Sequence, residues 1–318
     1  MACSPNTAAA KLCEEIRSEK SARLVEHQVA GARVIDFGVK TFGSVRGGQT
    51  LARACMGGLA DITLIPGDVS QYSVANMVSV QTDAPVVSCL GCQYAGWPVQ
   101  SDDFFAMGSG PIRLLRGKEP LLLKLGLEDG DYERVCCILE SDKLPSESAI
   151  QTIASESQCD ANKLTIGIAP STSIAGSIQV VARSVETAMH KLDELEFDVR
   201  DVVSATGCAP LPPPAKPGDT VGGIGRTNDA ILYGATTSLW VDCEDEKIAS
   251  VIDQVPSSSS KDHGRPFAKI FADYEYDFYK VDPGLFSPAR IQIHNLRSGR
   301  THSSGQIESN ILRESFGT

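Results

Sequence analysis

Nowhere does the 318-residue chain offer the roughly 20 predominantly apolar residues that a bilayer-spanning helix needs. The uncharged run from Leu164 to Ala182 is broken at its centre by Pro170 and by the Ser171-Thr172-Ser173 cluster, so it reads as strand, loop and helix start. The first residues lack the basic segment followed by an apolar one that marks an export signal: Lys11, Glu14, Glu15 and Arg17 interrupt them. A soluble, cytoplasmic protein is expected, with no membrane partner. Positive charge is in deficit, 29 Lys and Arg against 40 Asp and Glu, for a formal net charge of -11. A general basic field for gripping nucleic acid is therefore excluded, although a few local arginines or amide groups still suit a small anion. Histidine is scarce, and His27, His190, His263, His294 and His302 have no metal-ligand spacing. Also missing are G-x-G-x-x-G, a glycine loop ending in Gly-Lys-Ser/Thr, and the Gly-x-Ser-x-Gly elbow of serine hydrolases.

Cysteine is plentiful, with ten along the chain. Without an export signal these read as reduced, mostly buried thiols. Only Cys89-Leu-Gly-Cys92 has metal or redox spacing, and no second pair completes a zinc site, so no metal is expected.

Hydrophobic residues at 42% allow a substantial core, and helical and strand-like patterns alternate as in an α/β protein. Strands are expected at 32–37, 135–139, 164–169, 202–205, 231–241 and 291–294. Helices are expected at 8–26, at 51–56 before Gly57-Gly58, from Asp83-Ala-Pro85 toward Gly96, at 145–157, and as one long helix over 171–195. The proline-rich stretch Pro210 to Gly218 suits a stiff surface connection. The length suits one large or two medium domains, and the pattern shows no boundary between them.

Three polar, glycine-bearing segments suit a ligand. They are Asp103 to Pro111 with Arg113 and Arg116 following, Ala169 to Gly176, and Gly222 to Asp229. Glycines 108 and 110 permit close backbone approach, and Pro111 can open a helix whose N-terminus attracts an anion. Each segment alone is more often a tight turn than an anion site. A sharper signal lies in the long helical run, where Arg183 and Glu186 stand three apart in the nearly uncharged stretch Ile178 to Met189. By spacing alone the two form either a structural ion pair or an acid–base pair, while Lys191, Asp193, Glu194 and Glu196 make an ordinary charged end.

The segments Cys55-Met-Gly-Gly-Leu-Ala60, Phe105-Ala-Met-Gly-Ser-Gly-Pro111 and Ala169-Pro-Ser-Thr-Ser-Ile-Ala-Gly-Ser177 resemble methenyltetrahydromethanopterin cyclohydrolases. So do Ala182 to Thr187, Ala205 to Pro210, Gly225 to Gly234, Tyr276 to Arg290 and Glu314 to Gly317, in the same order through the chain. The resemblance implies a two-lobed α/β subunit with its active-site cleft between the lobes, assembled as a homotrimer; the lobes are placed at 1–128 and 129–318, with the chain free to cross between them. It implies no metal and no bound organic cofactor, the tetrahydromethanopterin carrier being the substrate. The implied reaction is reversible opening of the methenyl bridge of 5,10-methenyltetrahydromethanopterin by water, giving the 5-formyl compound in one-carbon metabolism. Arg183 and Glu186 match the family's catalytic pair, with Glu186 moving the proton and Arg183 orienting it. Ser109, Gly110, Thr172, Arg226, Asn228 and Asp229 lie in matching segments and are candidates for phosphate or pterin contacts. Phe104 and Phe105 are candidates to pack on the pterin ring, near where the family commonly has a tyrosine.

Two other functions are open to the same chain: a noncatalytic pterin-binding or assembly protein of this fold, or a cyclohydrolase acting on the folate analogue. A redox protein built on Cys89 and Cys92 is a further alternative, one that harmless alkylation of the thiols would dismiss.

Overall fold

The computed structural model describes residues 4–101 and 104–317, so Asp103, which opens the first of the segments above, lies outside the described residues. Twelve strands are seen among them: β1 (Val25–Val29), β2 (Ala32–Asp36), β3 (Asp61–Pro66), β4 (Asn76–Thr82), β5 (Trp97–Ser101) and β6 (Phe104–Ser109), then β7 (Val135–Glu140), β8 (Leu164–Ala169), β9 (Val202–Pro210), β10 (Thr236–Val241), β11 (Arg290–Asn295) and β12 (Thr301–Gly305). They form two six-stranded sheets in two compact units, and the mixed α/β class expected from the sequence is found. No described helix is long and apolar enough to cross a membrane.

The first unit comprises Met1–Asp61 and Val87–Gln179. Its sheet runs β1-β2-β8-β7-β6-β5, with β2, β8 and β7 parallel and the remaining neighbours antiparallel. Alternation along a strand sends successive side chains to opposite faces. Cys137, Leu139, Ile166 and Ile168 accordingly meet the helix Glu147–Glu156 through Ala149, Ile150 and Ile153. Cys136 and Ile138 point the other way, onto Ala9, Cys13 and Ile16 of the helix Pro5–Arg17 and Leu51, Ala54 and Cys55 of the helix Val45–Cys55. The boundary placed at 128/129 falls inside this unit, because β6 and β7 pair across it.

The second unit comprises Ile62–Val86 and Val180–Thr318. Its sheet runs β12-β11-β10-β9-β4-β3, in which β10 and β11 are parallel and β9 is antiparallel to both β10 and β4. The chain therefore passes from one unit to the other three times.

Several expected elements change type or length. The helix expected over 8–26 ends at Arg17, and Val25–Val29 pairs with β2 as a strand. The run from Ile231 to Val241 divides into the end of the helix Thr220–Leu232 and β10, since a short apolar run fits a buried helix as well as a strand. Val86–Gln93 is a π-helix, closed by Tyr94 N–H donating to Cys89 O at 2.8 Å. The long helix over 171–195 is two helices, Ile174–Val181 and Ser184–Glu194, parted by Ala182-Arg183 just after the chain leaves the first unit.

Candidate active site

Arg183 occupies the N-cap position of the helix Ser184–Glu194, and Glu186 lies in its first turn. There the exposed N–H ends of the helix favour a negative charge. The three-residue spacing survives the break: Arg183 Nη1 lies 3.6 Å from Glu186 Oε2, with the side chains 12% and 6% exposed. Val185, Ala188, Met189 and Leu192 on the same helix are fully buried, and Glu186 itself is only 4% exposed. Two contacts seat the helix on its sheet. Thr237 Oγ1 donates to Ser184 O at 2.9 Å, and Gly207 of β9 leaves the space that the Ser184 hydroxyl fills, since a Cβ there would stand 2.5 Å from that oxygen. Lys191, expected on a solvated helix end, is only 8% exposed and reaches the loop at Gly284. Its aliphatic stem is long enough to be covered while the charge stays at the loop.

In the first unit, Ser109 and Gly110 end β6 in a tightly held turn. Gly110 has φ +93°, a conformation that disfavours any side chain, and its N–H donates to Cys92 O at 2.8 Å. Ser109, 3% exposed, has its hydroxyl 3.3 Å from Cys55 Sγ and 3.4 Å from Ile138 O. The turn is tied from beneath by Asn6, which is fully buried. Its Nδ2 donates to Pro111 O at 2.8 Å and to Asp129 Oδ2 at 2.9 Å, and its Oδ1 accepts from Cys136 N–H at 3.1 Å. Phe104 is buried in the core of the unit, whereas Phe105 is exposed.

Pro111 does cap a helix, Ile112–Arg116, but the following arginines serve the protein. Arg113 is fully buried. Its Nε donates to the two carboxylate oxygens of Glu119 at 2.9 and 3.2 Å, and its Nη1 to Leu90 O and Gly91 O at 2.9 and 3.1 Å. Arg116 pairs with Glu156 at 2.8 Å and lies over the Trp97 ring. Both arginine side chains are thus spent on internal partners. In the second segment Ser173 Oγ accepts from Gly176 N–H at 3.0 Å and donates to Pro170 O at 2.8 Å, leaving Thr172 half-buried on the outside of the turn.

The third segment is part of the helix Thr220–Leu232 rather than a tight turn. Asp219 caps it by accepting from Gly222 N–H at 2.9 Å. Its glycines serve close packing: a Cβ on Gly225 would meet Ala268 Cβ at 2.8 Å. Arg226 Nη1 donates to Pro213 O and Pro214 O at 3.1 and 3.0 Å, holding the proline run, and Asn228 Nδ2 donates to Ile224 O at 2.8 Å. Asp229 is fully buried and accepts from Phe267 N–H at 2.7 Å and Ser315 Oγ at 2.6 Å. Burial pushes its carboxyl up to about 7 despite these donors. The folded protein then holds this proton more tightly than the unfolded chain. The residue's contribution to stability is greatest below about pH 4 and is lost as pH rises toward 7. Between those values the urea midpoint of the native chain should fall relative to that of Asp229→Asn. Parallel midpoint curves would show instead that the carboxylate is ionised throughout.

A family profile described as Cyclohydrolase (MCH) matches residues 4–316. The chain belongs to this cyclohydrolase family. It is 59% identical over 291 residues to a methenyltetrahydromethanopterin cyclohydrolase of Rhodopirellula baltica, covering 91% of this chain and 87% of that one. It is 42% identical over 294 residues to the protein of that name from Methylobacillus flagellatus, with 92% and 89% covered. It is 40% identical over 296 residues to the one from Methanocella arvoryzae, with 93% and 92% covered.

Within this cyclohydrolase chain, Cys89 and Cys92 lie fully buried on the π-helix, and burial pushes the Cys92 thiol well up. A protonated, enclosed thiol is a poor nucleophile and a poor metal ligand. Reading the sequence alone missed Asn6, Asp129 and Gln179. Gln179 carried a signal, as a lone amide in the otherwise apolar turn Ile178 to Ala182. Asn6 carried none, because its partners are more than 100 residues away.

Proposed function

We propose that this chain catalyses reversible hydrolysis of 5,10-methenyltetrahydromethanopterin to 5-formyltetrahydromethanopterin. The observation that carries the reading is the enclosed Arg183–Glu186 pair in a chain that matches proteins of that name over nine-tenths of its length. The methenyl carbon sits between two nitrogens in a cationic amidinium and is already electrophilic. Water adds to it while the Glu186 carboxylate takes one of the water's protons. The tetrahedral intermediate then breaks its bond to the second nitrogen, which receives that proton from Glu186, and the other water proton leaves as the hydroxyl becomes the formyl oxygen. A carboxylate in a poorly hydrated setting also favours the cationic ring. Arg183 holds the carboxylate in place and supports its ionised form.

The same reading gives Ser109, Gly110 and Thr172 contacts with the carrier, with Phe105 beside the pterin. Phe104 and Asp229, being buried and committed to internal packing or hydrogen bonds, support the binding segments from within. Arg226 and Asn228 shape the proline-rich surface beside them. The enzyme works in the cytoplasm as a homotrimer, without resident metal or organic cofactor, because an amidinium carbon requires no Lewis acid to accept water.

Loss of the methenyl absorbance in the near ultraviolet tests this directly, with the methanopterin and folate substrates run in parallel and a chelator added. Fast decay of the methanopterin form, unchanged by chelator, is the expected result. Faster decay of the folate form would reassign the carrier. Absence of decay on both, with tight binding retained, would favour a noncatalytic pterin-binding protein.

A further inference from the structure

We infer that Gln179 and Cys55 are positioning residues that aim the Ser109 hydroxyl at an acceptor oxygen of the bound carrier. Three side chains from three separate elements of the first unit lie end to end. Gln179, on the helix Ile174–Val181, donates from Nε2 to Cys55 Sγ at 3.3 Å, and Cys55, at the end of the helix Val45–Cys55, has its sulfur 3.3 Å from Ser109 Oγ. Gln179, Cys55 and Ser109 are 4%, 0% and 3% exposed.

Stability alone does not account for this row. Burying an amide costs free energy unless it is well bonded, and sulfur is a weak acceptor. Apolar side chains of similar volume would fill the same space without that cost. What the row does provide is a fixed place for the Ser109 oxygen at the end of β6, beside the positive-φ turn at Gly110. The contact of that hydroxyl to Ile138 O, at 3.4 Å, is long for an O–H···O bond and is one that a ligand oxygen can replace. Cys55 thus acts through Ser109 and takes no covalent part.

This inference rests on the reading of Ser109 as a carrier contact, and the test separates the two. Full-length Cys55→Ala, Cys55→Ser, Gln179→Leu, Ser109→Ala and the Cys55→Ala/Ser109→Ala double variant are compared with the native chain. Initial rates and equilibrium binding are both measured with 5,10-methenyltetrahydromethanopterin. Cys55→Ala, Gln179→Leu and Ser109→Ala should each raise KM and Kd roughly tenfold, the weight of one positioning hydrogen bond, with kcat within about twofold. Cys55→Ser keeps a donor and an acceptor in place and should restore near-native values, which also guards against a folding artefact. The double variant should be no worse than either single one, because both remove the same contact. Unchanged KM and Kd in Gln179→Leu, or additive losses in the double variant, would overturn the relay. If the native chain binds the carrier without turning it over, the proposed activity falls and the relay is judged on Kd alone. Failure of the native chain to bind would overturn both.

Discussion

Replacing Glu186 with glutamine should leave a folded protein whose kcat falls by about 10²–10⁴, the usual weight of a positioned general acid–base group. Glutamine keeps the volume and one oxygen that Arg183 can reach, so the first turn of the helix Ser184–Glu194 keeps its packing. It cannot take a proton from attacking water or return one to the leaving nitrogen. It also removes the negative charge that favours the cationic ring, so substrate binding should weaken along with turnover. Steady-state rates alongside a thermal melt make the comparison. A variant that melts like the native protein and turns over at nearly the native rate would sink the assignment. The Arg183–Glu186 contact, at 3.6 Å, would then stand as an ion pair that merely seats the helix.

The second large effect belongs to Arg113, which has no part in the proposed chemistry. Arg113→Ala should cost about 3–5 kcal/mol of stability, read as a lowered urea midpoint, because it strips the mostly buried Glu119 carboxylate of its hydrogen-bonded partner and leaves it Arg116 at 3.8 Å. The loss reaches further than one ion pair. The π-helix Val86–Gln93 has carbonyls at its end that need donors, and Arg113 supplies two of them, at Leu90 and Gly91, while Gly110 N–H supplies Cys92. The same side chain therefore steadies the strand end that carries Ser109. An Arg113→Met/Glu119→Leu double variant removes both charges together and should recover much of the lost stability. A cost below about 1 kcal/mol for the alanine variant would mean that water reaches Glu119 in place of the guanidinium.

Particular residues show what the sequence could and could not express. Strands such as Leu164–Ala169 and Val135–Glu140 were readable because both faces are buried, so the apolar run is continuous and bounded by turn residues. The Gly57-Gly58 stop was readable because both glycines adopt positive φ just past a helix end, as a left-handed cap requires. The break at Ala182-Arg183 was hidden, since no glycine or proline marks it and the apolar pattern continues through it. Gly222 to Gly225 was misread for a physical reason. Glycine signals flexibility in a loop and close approach in a helix, and only the position of Ala268 decides between them. The spacing of Arg183 and Glu186 was legible as a contact, and the family resemblance supplied its meaning. The Gln179–Cys55–Ser109 row was not legible, because it joins residues 54 and 124 positions apart.

The three passages of the chain between its two units also bear on how the protein is made. A ribosome delivers β4 early, yet its hydrogen-bonding neighbour β9 follows only some 120 residues later. At synthesis rates of about 5–20 residues per second, that interval is on the order of ten seconds. Through it the sequence Asn76-Met-Val-Ser-Val-Gln-Thr82 has β3 on one side and an unsatisfied edge on the other. The first unit can close once Gln179 has emerged, but the second cannot build its central strands before Pro210. Nascent chains of this protein thus carry an open strand edge through most of their synthesis, and only near its end does a finished first unit stand beside it in the sequence.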